Sequence, residues 1–250
     1  MRCLRSTLLA LALSLAAGAA DAAEFKVVAS VAVRAILGSL VPDFEKASGH
    51  KVDIVFGTAV PLKRQIDNGE SFDVAILVPT MLEDLAKSGK VAAASVANIA
   101  RVGVGVAVRR GAAKPDVSSS AAIEKAILAS SAITYTRESQ TSAVIIPLLS
   151  RLGIAEKMAS RTLLETSSTG TAGNIADGRA DLGFILISEI LPTPGIELAG
   201  PLPPELQQYV VFTAGISASS QQAKAARAFV DYLRAPATAV VLKQKGMEPG

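Results

Sequence analysis

The chain reads as an α/β protein built on mixed, mostly parallel sheets with helices on both faces. Three observations predict this. Short apolar runs alternate with helix-spaced segments along nearly the whole length, the pattern of strand–helix–strand units. Segment ends are repeatedly marked by glycine, at Gly49, Gly69, Gly89 and Gly153, where a residue without a Cβ closes a last helical turn. One apolar run, Ile99 to Val108, exceeds the others in length, with Val102, Val104, Val106 and Val108 alternating with Gly and Ala. A strand that long can belong to two layers at once.

In order, Phe25 to Ala29 is a buried strand. Ala32 to Ala47 is a helix, because Val33, Ile36, Leu37, Leu40, Val41 and Phe44 recur on one face. Pro42 lacks an amide donor and is expected to kink that helix or start a second piece of it. Val52 to Phe56 is the next strand, Pro61 to Asn68 a short helix, Asp73 to Leu77 a strand and Pro79 to Lys87 a helix. The second half repeats the rhythm: helix Ala121 to Leu128, strand Ala132 to Thr136, helix Ala143 to Leu152, strand Thr162 to Glu165, helix Gly170 to Ala176 and strand Leu182 to Ile187. The Pro/Gly-rich passage PTPGIELAGPLPPELQQ then leads to a long strand, Tyr209 to Ile216, and two closing helices, Gln221 to Leu233 and Ala237 to Lys245.

The N-terminus reads as a secretory signal peptide. Arg2 and Arg5 precede the apolar stretch Leu8 to Ala17, and Ala20 and Ala22 supply small residues for cleavage after position 22. An apolar core of about ten residues is too short to cross a bilayer, which needs roughly 20 in helix. Cys3 is the only cysteine and is expected to leave with the signal, so the mature chain has no disulfide, thiol nucleophile or Cys-ligated metal. A formal net charge of +3, with seven Phe and three Tyr scattered along 250 residues, leaves no electrostatic footprint for nucleic acid.

Ligands of open α/β sheets sit beyond the carboxyl ends of strands, where helix N-termini point. The sequence concentrates small hydroxyl residues there. Strand one ends at Ser30 and strand two at Gly57-Thr58; the third junction reads Glu138-Ser139-Gln140-Thr141-Ser142 and the fourth Thr166-Ser167-Ser168-Thr169-Gly170. Ser and Thr are good N-caps in their own right. Four such junctions together point to an anion site, since free amides and the helix dipole favour negative charge. Arg34, in the first turn of a helix, and Arg137, at a junction, are either solvated or a guanidinium fork for a carboxylate or phosphonate. Lys63 and Arg64 read as surface residues, as does His50, the sole histidine, which has no second imidazole or thiol to work with. Asp73 reads as an anchor for backbone amides, and Glu189 as a helix cap or hinge contact.

The succession VVAS, AIL, LVPDFEKASGHKVDIVFGTAVPLKRQIDNGESFDVAIL, followed by SRLGIAEKM, NIADGRADLGFILISEI and ARAFVDYLRAPATAVVLKQKGMEP, resembles the periplasmic solute-binding proteins related to the molybdate-binding protein of bacterial molybdate transport. The likeness covers nearly the whole mature chain. It implies the type II periplasmic binding protein fold: two lobes, two crossover strands and a ligand between the lobes. The long strands around Ile99 to Val108 and Tyr209 to Ile216 are the natural crossings. The division would be 1–22 signal peptide, 23–102 plus 208–250 first lobe, and 103–207 second lobe.

The family's two first-lobe serines fall, by this resemblance, at Ala32 and Ala59, with Ser30 and Thr58 beside them as substitutes. The second lobe's ligand positions fall at Thr141, next to Ser142, and at Ser168, and the tyrosine of the molybdate proteins at Leu186. The function implied is capture of a small molybdate- or tungstate-like oxyanion in the periplasm by a monomer, and delivery to an inner-membrane ABC permease, without cofactor, metal or catalysis. The alternatives are a small organic carboxylate or phosphonate in the same fold and, remotely, an exported Ser/Lys hydrolase.

Overall fold

The computed structural model describes residues 22–250. The expected signal peptide lies outside the described residues save for its last position. Strand β1 (Glu24–Ser30) leads through a single 3-10 turn, Val31–Val33, into α1 (Arg34–Ser48). That helix buries Ile36, Leu37, Leu40, Val41 and Phe44, the stripe its spacing selects. Pro42 is accommodated inside α1, and Gly49 closes the helix at φ 76°. Next come β2 (Lys51–Gly57), α2 (Ala59–Asp67), β3 (Val74–Leu77) and α3 (Pro79–Lys87). Strand β1 lies between β2 and β3 and runs parallel to both, so all three release their chains at the same edge.

The long apolar run resolves into two strands, β4 (Ala97–Val102) and β5 (Val104–Arg109), which belong to different sheets. Gly103 sits at the break. A Cβ there would lie 2.7 Å from Nε2 of Gln207. The Gln207 side chain brackets the next residue, accepting from the Val104 amide at 2.9 Å and donating to the Val104 carbonyl at 3.0 Å. The glycine thus makes room for a side chain from the returning chain, which replaces ladder bonds where the strand leaves one sheet for the other.

The second half contributes α4 (Ser120–Ala129), β6 (Ile133–Thr136), α5 (Gln140–Arg151), α6 (Ala155–Ala159), β7 (Thr162–Glu165), α7 (Ser168–Ala176), β8 (Leu182–Leu186), α8 (Ile187–Ile190) and β9 (Ile196–Pro201). The chain then returns to β10 (Val210–Ile216), α9 (Ala223–Leu233), α10 (Ala239–Gln244) and β11 (Glu248–Pro249). One sheet has the order β11-β4-β10-β3-β1-β2 and the other β7-β6-β8-β5-β9. The first takes strands from 24–102 and 210–249, the second from 104–201.

Both sheets are mixed. Strand β6 runs parallel to β7 and β8, whereas β10 and β5, the strands next to the crossings, pair antiparallel with their neighbours. Strand β9 lies inside the Pro/Gly-rich passage to which the sequence reading assigns no element. It is an edge strand with a register shift opposite Val106/Ala107, the kind of position where Pro201 removes no needed amide. The return crossing runs through 202–209, where Pro203 and Pro204 preclude a ladder, and its chain joins the first sheet at Val210.

The core of the first sheet centres on Phe25, Phe44 and Phe229, with ring centroids 5.0 to 6.3 Å apart. The second sheet is filled by Ile133, Phe184, Ile123, Ile145 and Met158, each buried. Asp73 anchors the amide of Lys26 at 2.8 Å and accepts from the Ser220 hydroxyl at 2.6 Å, a structural role that ties β1 to the turn before α9.

Candidate functional site

Register brings the junctions together in pairs. In the first sheet Ser30 lies opposite Gly57, so the 3-10 turn after β1 and the N-terminus of α2 emerge side by side. In the second, Thr136 lies opposite Glu165, which does the same for the N-termini of α5 and α7. The two sheets meet at this edge. The Ser188 hydroxyl, in α8, donates to the carbonyl of Ala32 at 3.2 Å. The neighbouring Glu189 accepts at Oε1 from the Ser168 hydroxyl at 3.1 Å. The chain of contacts Ala32–Ser188–Glu189–Ser168 therefore links the first junction of one sheet to the last junction of the other.

The hydroxyls at these junctions divide into engaged and free. Ser139 caps α5, accepting from the Ser142 amide at 3.1 Å and donating to the Thr136 carbonyl at 2.7 Å. Ser142 completes the box, accepting from the Ser139 amide at 2.8 Å and donating to the Ser139 carbonyl at 2.8 Å. Ser167 caps α7 through the Gly170 amide at 3.1 Å. The Ser142 proton is consumed locally, so this candidate organises the helix end and has no donor left for a ligand.

Thr58, the exposed N-cap of α2, makes no capping bond with its side chain. Thr141 is buried, yet its hydroxyl has no hydrogen-bond partner among the described residues and is not sealed off. The single fully enclosed side-chain polar atom without a partner among them is Oδ1 of Asn174. Ser30, also buried, accepts from the Ala32 amide at 3.4 Å, and its own proton has no acceptor among the described residues. Backbone amides at the starts of α2, α5 and α7 add the unpartnered donors every helix has there.

The junction before α5 is strained. Glu138, at φ 50°, is the one non-glycine residue with positive φ among the described residues. A left-handed conformation costs a residue with a Cβ on the order of 1–2 kcal/mol. The adjoining capping box over-determines it, which is how such strain persists at binding sites.

The family model of the bacterial extracellular solute-binding proteins matches residues 25–248. The chain belongs to that family. The molybdate-binding protein ModA of Azotobacter vinelandii is 32% identical over 248 residues, covering 95% of this chain and 94% of that protein. An aconitate isomerase of a Pseudomonas species is 28% identical over 229 residues, covering 89% and 87%. The solved periplasmic molybdate-binding protein of A. vinelandii superimposes with a TM-score of 0.74 at 23% identity, over 90% of this chain and 99% of that one. The two-lobed, type II periplasmic binding protein fold follows from these likenesses and from the two sheets.

Several of the positions singled out in the sequence offer no side-chain hydrogen-bond donor. Ala32 and Ala59 are buried and bring only backbone groups. Leu186, the N-cap of α8, is 3% exposed and has no polar side-chain atom. Neither arginine is free-standing. The Arg34 guanidinium lies 4.2 Å from the Phe56 ring centroid, a cation–π contact on the neighbouring strand β2. Arg137 donates to the Leu164 carbonyl at 3.3 Å, along the edge strand β7. Lys63 pairs with Asp67 at 2.8 Å, one turn further along α2. His50 is half-buried and accepts the Ala23 amide at 3.1 Å.

Glu189 stands out. It is half-buried and joins no ion pair among the described residues. Burial pushes its pKa above the ordinary carboxylate value, against a smaller opposing pull from the Ser168 hydrogen bond. The sequence offered the acid and its position after a strand, but nothing there indicated that the hydroxyl at Ser168 is its partner.

Proposed function

We propose that this protein captures a small anion between its two lobes and delivers it to an inner-membrane ABC permease, with a molybdate- or tungstate-like oxyanion as the leading ligand. One observation carries the reading. Four strand-to-helix junctions are paired by register within each sheet and linked by Ala32–Ser188–Glu189–Ser168, and Ser30, Thr58 and Thr141 at these junctions keep hydroxyl donors unengaged among the described residues. Helix N-termini and neutral donors together suit an oxyanion. The likeness to ModA supports the ligand class. On this reading 23–102 plus 208–250 form one lobe and 103–207 the other, binding favours the closed arrangement, and the permease reads that arrangement. The protein is exported to the periplasm and acts there as a monomer without catalysis.

A second reading has a specific observation behind it. The relative named aconitate isomerase, together with a protonatable carboxylate in the cleft, favours a small polycarboxylate as ligand and leaves room for isomerase chemistry. Thermal shift and titration calorimetry with molybdate, tungstate, sulfate and small di- and tricarboxylates test the first reading. Proton NMR of cis-aconitate incubated with the protein tests the second. Saturable stabilisation by molybdate or tungstate with an unchanged aconitate spectrum upholds the first reading. Stabilisation by polycarboxylates alone, or formation of trans-aconitate, replaces it with the second.

A further inference from the structure

Glu189, expected from the sequence as a helix cap or hinge contact, does not cap α8, whose N-terminus has no side-chain capping bond; its side chain reaches α7 instead. Its Oε1 accepts the proton of Ser168, and Ser168 is the first residue of the nine-residue helix α7, where an incoming anion would seek a donor. One of the helix-end donors is thus already engaged by a carboxylate acceptor. An ionised Glu189 and an ionised ligand would share a partly desolvated site, and like charges at such separation cannot both remain ionised without cost.

The surroundings supply no compensating charge. Helix α8 packs on β5, β8, β9 and the 3-10 turn after β1. Strand β8 and the turn carry no ionisable residue. Arg109 lies at the end of β5 remote from Val104, which pairs with Leu186. Glu197 of β9 accepts the Gly111 amide and pairs with Lys114. Arg34, after the turn, is stacked on Phe56. Near the Gly246 turn, which abuts Ile187, Lys245 is in no ion pair with Glu189 and Glu248 pairs with Arg101. Helix α7 has no charged residue, and Glu165 before it accepts from Asn174 at 2.8 Å.

We propose that Glu189 determines specificity in the cleft by admitting an anion only together with one proton. The proton resides on Glu189 when the ligand is a fully ionised oxyanion, and on the ligand when the ligand brings its own O–H to the carboxylate. Near neutral pH the cleft therefore prefers anions that carry a donor, such as hydrogen phosphate, the monoanion of a phosphonic acid or a hydroxy acid. Ions without a donor, such as molybdate or sulfate, bind more tightly as the pH falls. This deepens the anion-capture reading and rests on it.

The test uses the mature protein and calorimetry with sodium molybdate, sulfate, hydrogen phosphate and citrate in two buffers of different ionisation enthalpy. For the donor-free ions the expected result is uptake of one proton per anion above the carboxyl's pKa, with affinity rising about tenfold per pH unit of acidification. In Glu189→Gln, whose folding is verified by its melting curve, the proton uptake vanishes, the pH profile flattens, and donor-free ions bind at least about tenfold tighter near neutral pH while hydrogen phosphate loses its advantage. Direct carbon-13 titration of the Glu189 carboxyl in the free and molybdate-bound protein reads the same proton without relying on the variant. A donor-free anion that binds with no proton uptake, or with a flat wild-type pH profile, overturns the proposal and leaves anion capture standing. Failure of every anion to bind removes both.

Discussion

Thr58 and Ser142 carry the same kind of hydroxyl at the same kind of helix end, and the structure separates their roles. The Thr58 side chain bonds to nothing at the α2 N-terminus and is exposed. Thr58→Val keeps the shape and removes only a free donor, so stability is expected to stay within about 0.5 kcal/mol of wild type. If Thr58 donates to the anion, one hydrogen bond to a charged ligand is lost, about 1.5–3 kcal/mol, or roughly tenfold to a hundredfold in affinity. Ser142 spends both its donor and its acceptor on Ser139, at 2.8 Å each. Ser142→Ala undoes half of a capping box and is expected to cost about 1 kcal/mol of stability, about 2–4 °C in melting temperature for a chain of this size, with affinity within about threefold of wild type. Urea titration and calorimetry with the ligand identified by thermal shift measure both quantities on both variants. Wild-type affinity in Thr58→Val would take Thr58 out of the site. A tenfold loss in Ser142→Ala without a stability change would refute the assignment of its hydroxyl to the cap.

Replacing Arg137 with Gln is expected to leave ligand affinity nearly intact and change stability by less than about 0.5 kcal/mol, because the residue is exposed and the one hydrogen bond of its guanidinium among the described residues goes to the Leu164 carbonyl. Arg34→Gln loses the stacking on Phe56, about 0.5–1 kcal/mol at an exposed site; a fall in affinity of a hundredfold in either variant, read by calorimetry, would place that arginine against the ligand. Gly103→Ala puts a methyl against Gln207 and displaces it from both polar groups of Val104, so a loss of about 1–3 kcal/mol is expected in urea unfolding, with Gln207→Ala giving a similar loss on its own. The raised pKa of Glu189 means that its neutral form favours the fold. That contribution is fully present below the unfolded carboxylate range and is lost as pH rises through the raised value. Glu189→Gln should therefore gain stability relative to wild type on going from about pH 4 to about pH 8; a constant difference in urea midpoint across that range would contradict it.

Most of the fold was legible because its signals are local. The α1 stripe from Ile36 to Phe44, the Gly49 stop and the short strand β7 lie where periodicity and punctuation put them. The short α6 and β11 escaped, and so did three features that bear on the site. Strand β9 is a short alternation, Ile196–Pro201, surrounded by the Pro and Gly that mark loops, and its pairing to β5 is a tertiary fact. Helix α8 has four residues, too few for a periodic signal, yet it carries the bridge between the sheets. The long run Ile99 to Val108 revealed its double membership through its length, but the break at Gly103 depends on Gln207, a residue about a hundred positions away that no local pattern connects to it.

The site was less legible for a reason that its hydroxyls make plain. Composition and position select Ser30, Thr58, Ser139, Thr141, Ser142, Ser167 and Ser168 alike, since a good N-cap and a good anion donor are the same residue at the same place. What distinguishes them is where each proton goes. Ser139 and Ser142 donate to carbonyls of their own turn, and Ser168 donates to Glu189. Thr58 and Thr141 have no hydrogen-bond partner for their side chains among the described residues, and Ser30 only accepts. A cap is satisfied by bonds within about three residues and so leaves no functional remainder. A hydroxyl at a helix N-terminus that neither a cap nor a neighbour engages among the described residues, as at Thr58 and Thr141, is left for a ligand on the anion-capture reading.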